Sequence, residues 1–226
     1  MKLLDRILVP VDFGPNTGSV VEAAAKLAAA FESNIRLLFV IEDIPHFPAA
    51  LDLLKQAAHE RLAKLHDDLV ARGLRCEPTM HVVGKPFDTI VRTADSANAH
   101  LIVMGRGGSP ESSHPCLGTT TARVMRRTAK PVFAIRPDST CEIHRILCPV
   151  DGSSASARGL RNAILLATGL KARLTVMTVI TDFSLPLGMA RRAPDMARIA
   201  SEYEKMEREQ FDQFIHAFDF RDVTWD

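Results

Sequence analysis

The chain has 226 residues, of which 46% are hydrophobic and 24% charged. That is ordinary globular composition; it excludes a wholly disordered chain and suggests one large domain or two small ones. With 28 Lys and Arg against 27 Asp and Glu the formal net charge is +1, so no global positive field drives non-specific binding to nucleic acid or a membrane surface.

Ile7 to Val11 is a nearly continuous apolar run, the pattern of a strand buried on both faces. Thr17 to Phe31 is Ala-rich, with Val20, Val21, Ala24, Leu27 and Ala28 at helical spacing. Ile35 to Ile41 reads as a second strand. Pro48 to Arg72 sets Leu51, Leu54, Ala58, Leu62, Leu65 and Leu69 at helical spacing, and Gly73 follows as a stop. Cys76 to Val83 reads as a third strand, and Pro86 opens a helix to about Ser96. A short strand at Leu101–Met104, a helix at Gly118–Arg127 and a strand at Val132–Ile135 complete an alternating β-α pattern. Such alternation implies a parallel sheet with helices on both faces. The polar stretch Thr140–His144 reads as a linker. Beyond it the pattern predicts a strand at Ile146–Val150, a helix over about Ser156–Thr168, a strand at Arg173–Ile180 and a helix over about Pro194–His216. Phe220–Asp226 is a candidate third strand.

The two halves repeat. Arg6-Ile7-Leu8-Val9-Pro10-Val11-Asp12 matches Arg145-Ile146-Leu147-Cys148-Pro149-Val150-Asp151 at an offset of 139 residues, and the match continues without gaps to Val176. Residues 1–138 are therefore expected to form one domain and 145–226 a partial second copy, a duplication rather than a solenoid.

The informative chemistry lies in Val103-Met104-Gly105-Arg106-Gly107-Gly108, followed nine residues later by Gly118-Thr119-Thr120-Thr121. Glycines let backbone N–H groups approach an anion, a helix opening near Gly118 presents unpaired N–H groups, and Thr119 and Thr120 add hydroxyl donors. Together they form a phosphate cradle; the alternative is a tight turn with a helix cap. Asp12 ends the first strand at the carboxyl edge of the sheet, where open parallel sheets bind ligands. Its carboxylate can accept from a ribose hydroxyl, with Pro10 and Val11 lining an apolar slot, or it can cap the following helix through Asn16 or Thr17.

RILVPVD, LLFVIED, GKP, LIVMGRGG and the G-x2-G-x9-G-T spacing together resemble the universal stress protein family, in its nucleotide-binding branch. The resemblance covers the first repeat to about Arg136, and Arg145–Asp226 is similar to the front of a second copy. It implies a doubly wound α/β fold with a five-stranded parallel sheet of order 3-2-1-4-5, plus a second partial α/β repeat. It also implies an adenine-nucleotide ligand, ATP or else ADP or AMP, accompanied by Mg²⁺. By motif position Pro10, Val11 and Asp12 would contact adenosine and Val40 the adenine ring. Met104, Gly105 and Gly108 would lie under the ribose and phosphates, which Gly118, Thr119 and Thr120 would hold. Arg106 would either reach the phosphates or point to solvent. His100 and His114-Pro115-Cys116 depart from the family pattern, and the second repeat has no glycine loop, so one nucleotide site per chain is expected.

No P-loop, nucleophile elbow or metalloprotease pattern is present. The expected role is therefore a regulatory or chaperone-like binding module, the alternatives being a slow ATPase or phosphoryl transferase and a nucleotide-free interaction module. No bound structural metal is expected, since neither His114 with Cys116 nor the run Cys141, His144, Cys148 has convincing tetrahedral spacing. No apolar run reaches the ~18–20 residues of a membrane span, and the N-terminus lacks the apolar core of a signal peptide. The four cysteines form no CxxC pair, so reduced thiols and a cytoplasmic location are expected. Neither nucleic acid nor membrane is an expected partner. The first strand of the second repeat would lack a neighbour, so it is expected to pair with another chain, giving a homodimer, or to pack on the first repeat. A stripe of Ile199, Tyr203, Met206, Phe211, Phe214 and Phe218 on the last helix would be core or a further contact.

Overall fold

The structure is a computed structural model; it describes residues 4–42, 48–107, 117–137, 139, 141–180 and 194–226, the side chains of 194–197 excepted. Gly108, His114 and Cys116 therefore lie outside the described residues. The chain divides into two compact units, Met1–Glu142 and Ile143–Asp226.

The first unit runs β1 (Arg6–Val11), α1 (Thr17–Phe31), β2 (Asn34–Ile41), α2 (Pro48–Ala71), β3 (Arg75–Cys76), β4 (Met80–Val83), α3 (Pro86–Ser96), β5 (Leu101–Gly105), α4 (Thr119–Arg127) and β6 (Val132–Ile135). All pairings are parallel, in the order β3-β2-β1-β5-β6, with β4 also on β2. With β3 and β4 taken as one interrupted strand, this is the 3-2-1-4-5 order. The expected unbroken third strand is corrected by Pro78, which has no N–H to donate to a ladder. Ile35 pairs with Cys76 but Leu38 with Met80, so the broken strand carries one more residue than its partner across the gap, as a bulge does.

The strands are apolar on both faces because both faces are covered. Leu8, Leu38, Ile102 and Met104 pack with Ile90 and Ala94 of α3 and Val124 of α4 in one buried cluster. α1 buries Val20, Val21, Ala23, Ala24, Ala25, Leu27 and Ala28; its alanines let the helix lie close to the sheet. It ends at Glu32, whose left-handed backbone (φ 51°) returns the chain toward β2. Just beyond, the buried Ser33 hydroxyl donates to the Leu4 carbonyl.

Proline 10 decides where the sheet opens. The Asp5 carbonyl accepts from Asn34 N–H, at the start of β2, and the Arg6 carbonyl accepts from His100 N–H, just ahead of β5. Backbone groups alternate sides along a strand, so Pro10 falls on the β5 side, where its missing N–H leaves no donor. The β1–β5 register comprises Ile7 with Leu101 and Leu8 with Ile102, whereas β1 pairs with β2 along its whole length. Past Leu8 the two strands no longer pair, and a crevice begins.

The second unit has β7 (Arg145–Pro149), α5 (Ser154–Leu170), β8 (Arg173–Met177) and α6 (Pro194–His216). Arg145 pairs with Arg173 as Arg6 pairs with Asn34, so the register of the first copy is kept under the 139-residue offset. β8 stops at Met177 rather than Ile180 because its partner stops at Pro149; Val179 beyond is 78% exposed. The C-terminal segment joins the far side of β8 through one parallel bridge, Leu174 with Trp225, rather than as a full strand. The expected stripe divides: Phe211 and Phe214 of α6, with Phe218 just beyond its end, pack on the core around Leu160 and Leu174, whereas Ile199 and Met206 are exposed. Cys148 is buried in that core, and burial pushes its thiol up, as it does for Cys76.

Candidate functional site

The crevice between β1 and β5 widens into a cleft of about 980 Å³ at the carboxyl ends of the strands, at the upper end of ordinary small-molecule sites, roughly 300–1,000 Å³. Pro10, Val11 and Asp12 form one wall, and Phe39, Val40, Ile41 and Glu42 continue it. Leu54 of α2 and Pro86 and Ile90 of α3 add apolar surface. Met104, Gly105 and Gly107 follow from β5, and Leu117, Gly118, Thr119, Thr120 and Thr121 close the far end.

The far end is built by two glycines in contact. Gly107 has φ +71°, a conformation that favours glycine. A Cβ added to it would lie 2.9 Å from the Cα of Gly118, and one added to Gly118 would lie 2.9 Å from the Cα of Gly107. The approach is fixed by the Gly118 N–H donating to the Arg106 carbonyl at 2.7 Å and the Arg106 N–H donating to Ile135 at 2.7 Å. The buried Thr121 hydroxyl donates to the Gly105 carbonyl at 2.7 Å, tying the start of α4 to the end of β5.

Gly118 is also the N-cap of α4, and it makes no side-chain cap bond. The first intrahelical acceptor is its own carbonyl, which takes the Ala122 N–H. The amides of Thr119, Thr120 and Thr121 therefore have no partner within the helix, and all three residues line the cleft. In the second unit Ser153 does the opposite, its hydroxyl accepting from Ser156 N–H at 3.1 Å. One helix start is closed by its own side chain; the other has no side-chain cap among the described residues, and the positive end of its dipole faces the cleft.

At the near end Asp12 Oδ1 accepts from Gly14 N–H at 2.8 Å and from the Thr17 hydroxyl at 3.3 Å. The carboxylate shapes its own turn while remaining exposed at the cleft. The capping alternative is thus answered in part: Asp12 engages Thr17 through its side chain, whereas the N-cap itself is Asn16, without a cap bond.

Of the residues expected at the site, Pro10, Val11, Asp12, Val40, Met104, Gly105, Gly118, Thr119 and Thr120 border this one cleft. Arg106 does not. Its backbone bridges Ile135 and Gly118, and its Nε is buried, with no partner among the described residues. Sequence reasoning passed over Gly107, Thr121, Phe39 and Leu54. Gly107 was legible as a glycine inside the turn; Leu54 sat in an amphipathic stripe that reads as core. Among the described residues no three His, Cys, Asp or Glu side chains converge on a metal-sized site, and no helix is long and apolar enough to cross a membrane.

The second unit keeps the near end alone. Pro149, Val150, Asp151, Met177, Thr178 and Val179 border a shallower cleft of about 540 Å³. Asp151 is held down at about 2 by hydrogen bonds from Ser153 and then Ser156. A carboxylate with a lowered folded-state pKa stabilises the fold above its unfolded value, and that contribution is lost as pH falls through the folded value. Asp151→Asn should therefore lose less stability than the parent chain between pH 4 and pH 2, as read from urea midpoints across that window; parallel midpoints would contradict it.

The model of the universal stress protein family matches residues 4–136 and 142–224. The chain belongs to the universal stress protein family. Among curated relatives, the universal stress protein MJ0531 of Methanocaldococcus jannaschii is 26% identical over 142 residues, which are 59% of this chain and 83% of the relative. Among solved structures, a universal stress protein from Archaeoglobus fulgidus superposes with a TM-score of 0.68 at 20% identity. That superposition covers 90% of this chain and 75% of the other. UspA of Lactobacillus plantarum gives a TM-score of 0.51 at 24% identity, covering 59% of this chain and 98% of its own. These likenesses show a universal stress protein fold; what the chain binds is a question for its own cleft.

Proposed function

We propose that the cleft of the first unit binds an adenine nucleotide, ATP in the first instance, and that the chain serves as a ligand-gated regulatory or chaperone-like module in stress response. What supports this above all is the glycine contact at the start of α4, where the amides of Thr119, Thr120 and Thr121, unpaired within the helix, lie at the edge of the cleft. Three amides without a partner inside the helix, on its positive dipole end, fit a phosphate chain. The opposite end fits a nucleoside: Pro10, Val11 and Val40 offer an apolar slot, and Asp12, with Oδ1 engaged by its own turn, offers Oδ2 to a ribose hydroxyl. A Mg²⁺ arriving with the phosphates would be carried largely by phosphate oxygens. Among the described residues only the first unit has both ends, so one nucleotide per chain is the expected stoichiometry. We read the chain as a cytoplasmic homodimer.

The test is a titration of ATP followed by thermal unfolding and by mass spectrometry of released ligand. Binding to the folded state alone should raise stability with ligand concentration, by about 2.7 kcal/mol at 100 times Kd. ATP retained intact over hours supports the binding module, whereas steady release of ADP favours a slow ATPase. A midpoint indifferent to ATP, ADP and AMP would overturn the nucleotide reading.

A further inference from the structure

Phe13, in the loop between β1 and α1, has φ +57°. A bulky side chain holds this left-handed conformation only when its surroundings impose it. The Phe13 ring centroid lies 4.6 Å from that of Phe39 on β2. The Arg61 guanidinium of α2 sits over the same ring, 4.2 Å from its centroid, and Arg61 Nη2 donates to the Phe13 carbonyl at 3.2 Å. One side chain thus grips both the ring and the backbone of the strained residue. The second repeat gives an internal contrast. Its matching residue is Gly152, at φ +75°, which adopts that conformation without help.

The strained residue stands between Asp12 and the Gly14 amide that Asp12 Oδ1 accepts from. Should Phe13 relax to negative φ, the Gly14 N–H would turn away from the carboxylate. Arg61 itself does not border the cleft, although Leu54, two turns earlier on α2, does.

We infer that Arg61 is a positioning residue for the ligand: by holding Phe13 in its left-handed conformation it fixes Asp12 at the nucleoside end of the cleft. This rests on the nucleotide reading above. The phosphate end is built by Gly107, Gly118 and the start of α4, none of which Arg61 touches, so the two ends are separable by experiment.

Calorimetric titration of the full chain with ATP and with inorganic tripolyphosphate separates them. Arg61→Ala should weaken ATP about tenfold and leave tripolyphosphate within about twofold. Arg61→Lys keeps a cation but not the planar fork, and should recover only part of the loss. Adding Phe13→Gly to Arg61→Ala should restore ATP affinity to within about threefold, since glycine needs no grip. Unchanged ATP affinity in Arg61→Ala, an equal loss for both ligands, or no restoration by Phe13→Gly overturns the inference. The Gly14 amide resonance reports the Asp12 contact without ligand and should shift in Arg61→Ala; an unmoved resonance also overturns it. A parent chain that binds neither ligand overturns the nucleotide reading, and the Gly14 resonance then decides the role of Arg61 by itself.

Discussion

Gly118→Val should lower ATP affinity about 100-fold or more while the chain still folds. The backbone of Gly118 is ordinary, φ −61° and ψ 153°, so valine is not excluded by torsion. It is excluded by space: its Cβ would meet the Gly107 Cα at 2.9 Å and the Arg106 carbonyl oxygen at 3.2 Å, and both are backbone atoms that cannot swing aside. The Gly107 loop and the first turn of α4 must part, which moves the open amides of Thr119, Thr120 and Thr121 away from a common focus. Each charge-assisted hydrogen bond to phosphate is worth about 1.5–3 kcal/mol, so loss of one or two accounts for the effect. Thermal unfolding with and without ATP measures it, and circular dichroism checks the fold. A parent-like ATP shift in Gly118→Val would falsify the placement of the phosphates.

The largest effect on stability is expected from Leu38→Ala. Leu38 is fully buried at the centre of β2, in register with Pro10 on one side and Met80 on the other. It belongs to the cluster that joins Leu8, Ile102 and Met104 to α3. Neighbouring strands are pinned by their own ladders, so the cavity left by truncation cannot close well. A loss of about 3 kcal/mol, within the usual 2–5 kcal/mol for such truncations, is expected. For a unit of this size that corresponds to a fall of roughly 6–12 °C in Tm. Chemical denaturation of the two chains side by side checks it, and a change below about 1 kcal/mol would show that the site collapses freely.

Much of this architecture was readable before any coordinates. The apolar runs at Ile7–Val11 and Leu101–Met104 and the alanine-rich helix between them announce a doubly covered parallel sheet, because only such a sheet buries both faces of its strands. The repeat at 139 residues carries register as well as topology, since matched residues face matched partners. The glycine spacing marks the end of the cleft where Gly107 meets Gly118. Other features depend on through-space neighbours that periodicity does not encode. The third strand reads as continuous although Pro78 interrupts it; the proline was visible, but its consequence depended on β2 lying alongside. Arg106 reads as a solvent or phosphate contact, and a chain of residues does not reveal that its backbone also bridges Ile135 and Gly118. Arg61 is silent in the sequence, one more cation on an amphipathic helix, until Phe13 is found beneath it.

The shared register of the two copies has a consequence for how the chain reaches its native state. β1 and β7 carry nearly the same heptapeptide and offer the same pairing edge, to β2 and β8 respectively. In an unfolded chain either strand can therefore dock on either partner through the same backbone ladder, since the two pairings share one register. Duplicated domains are prone to such misassembly. One contact outside the shared heptapeptide depends on which copy is present: the Asn34 side-chain amide donates to the Asp5 carboxylate, where the second copy has Arg173 and His144. That polar contact at the base of the sheet is an address label, one that tells the twin strands apart where their backbone ladders do not.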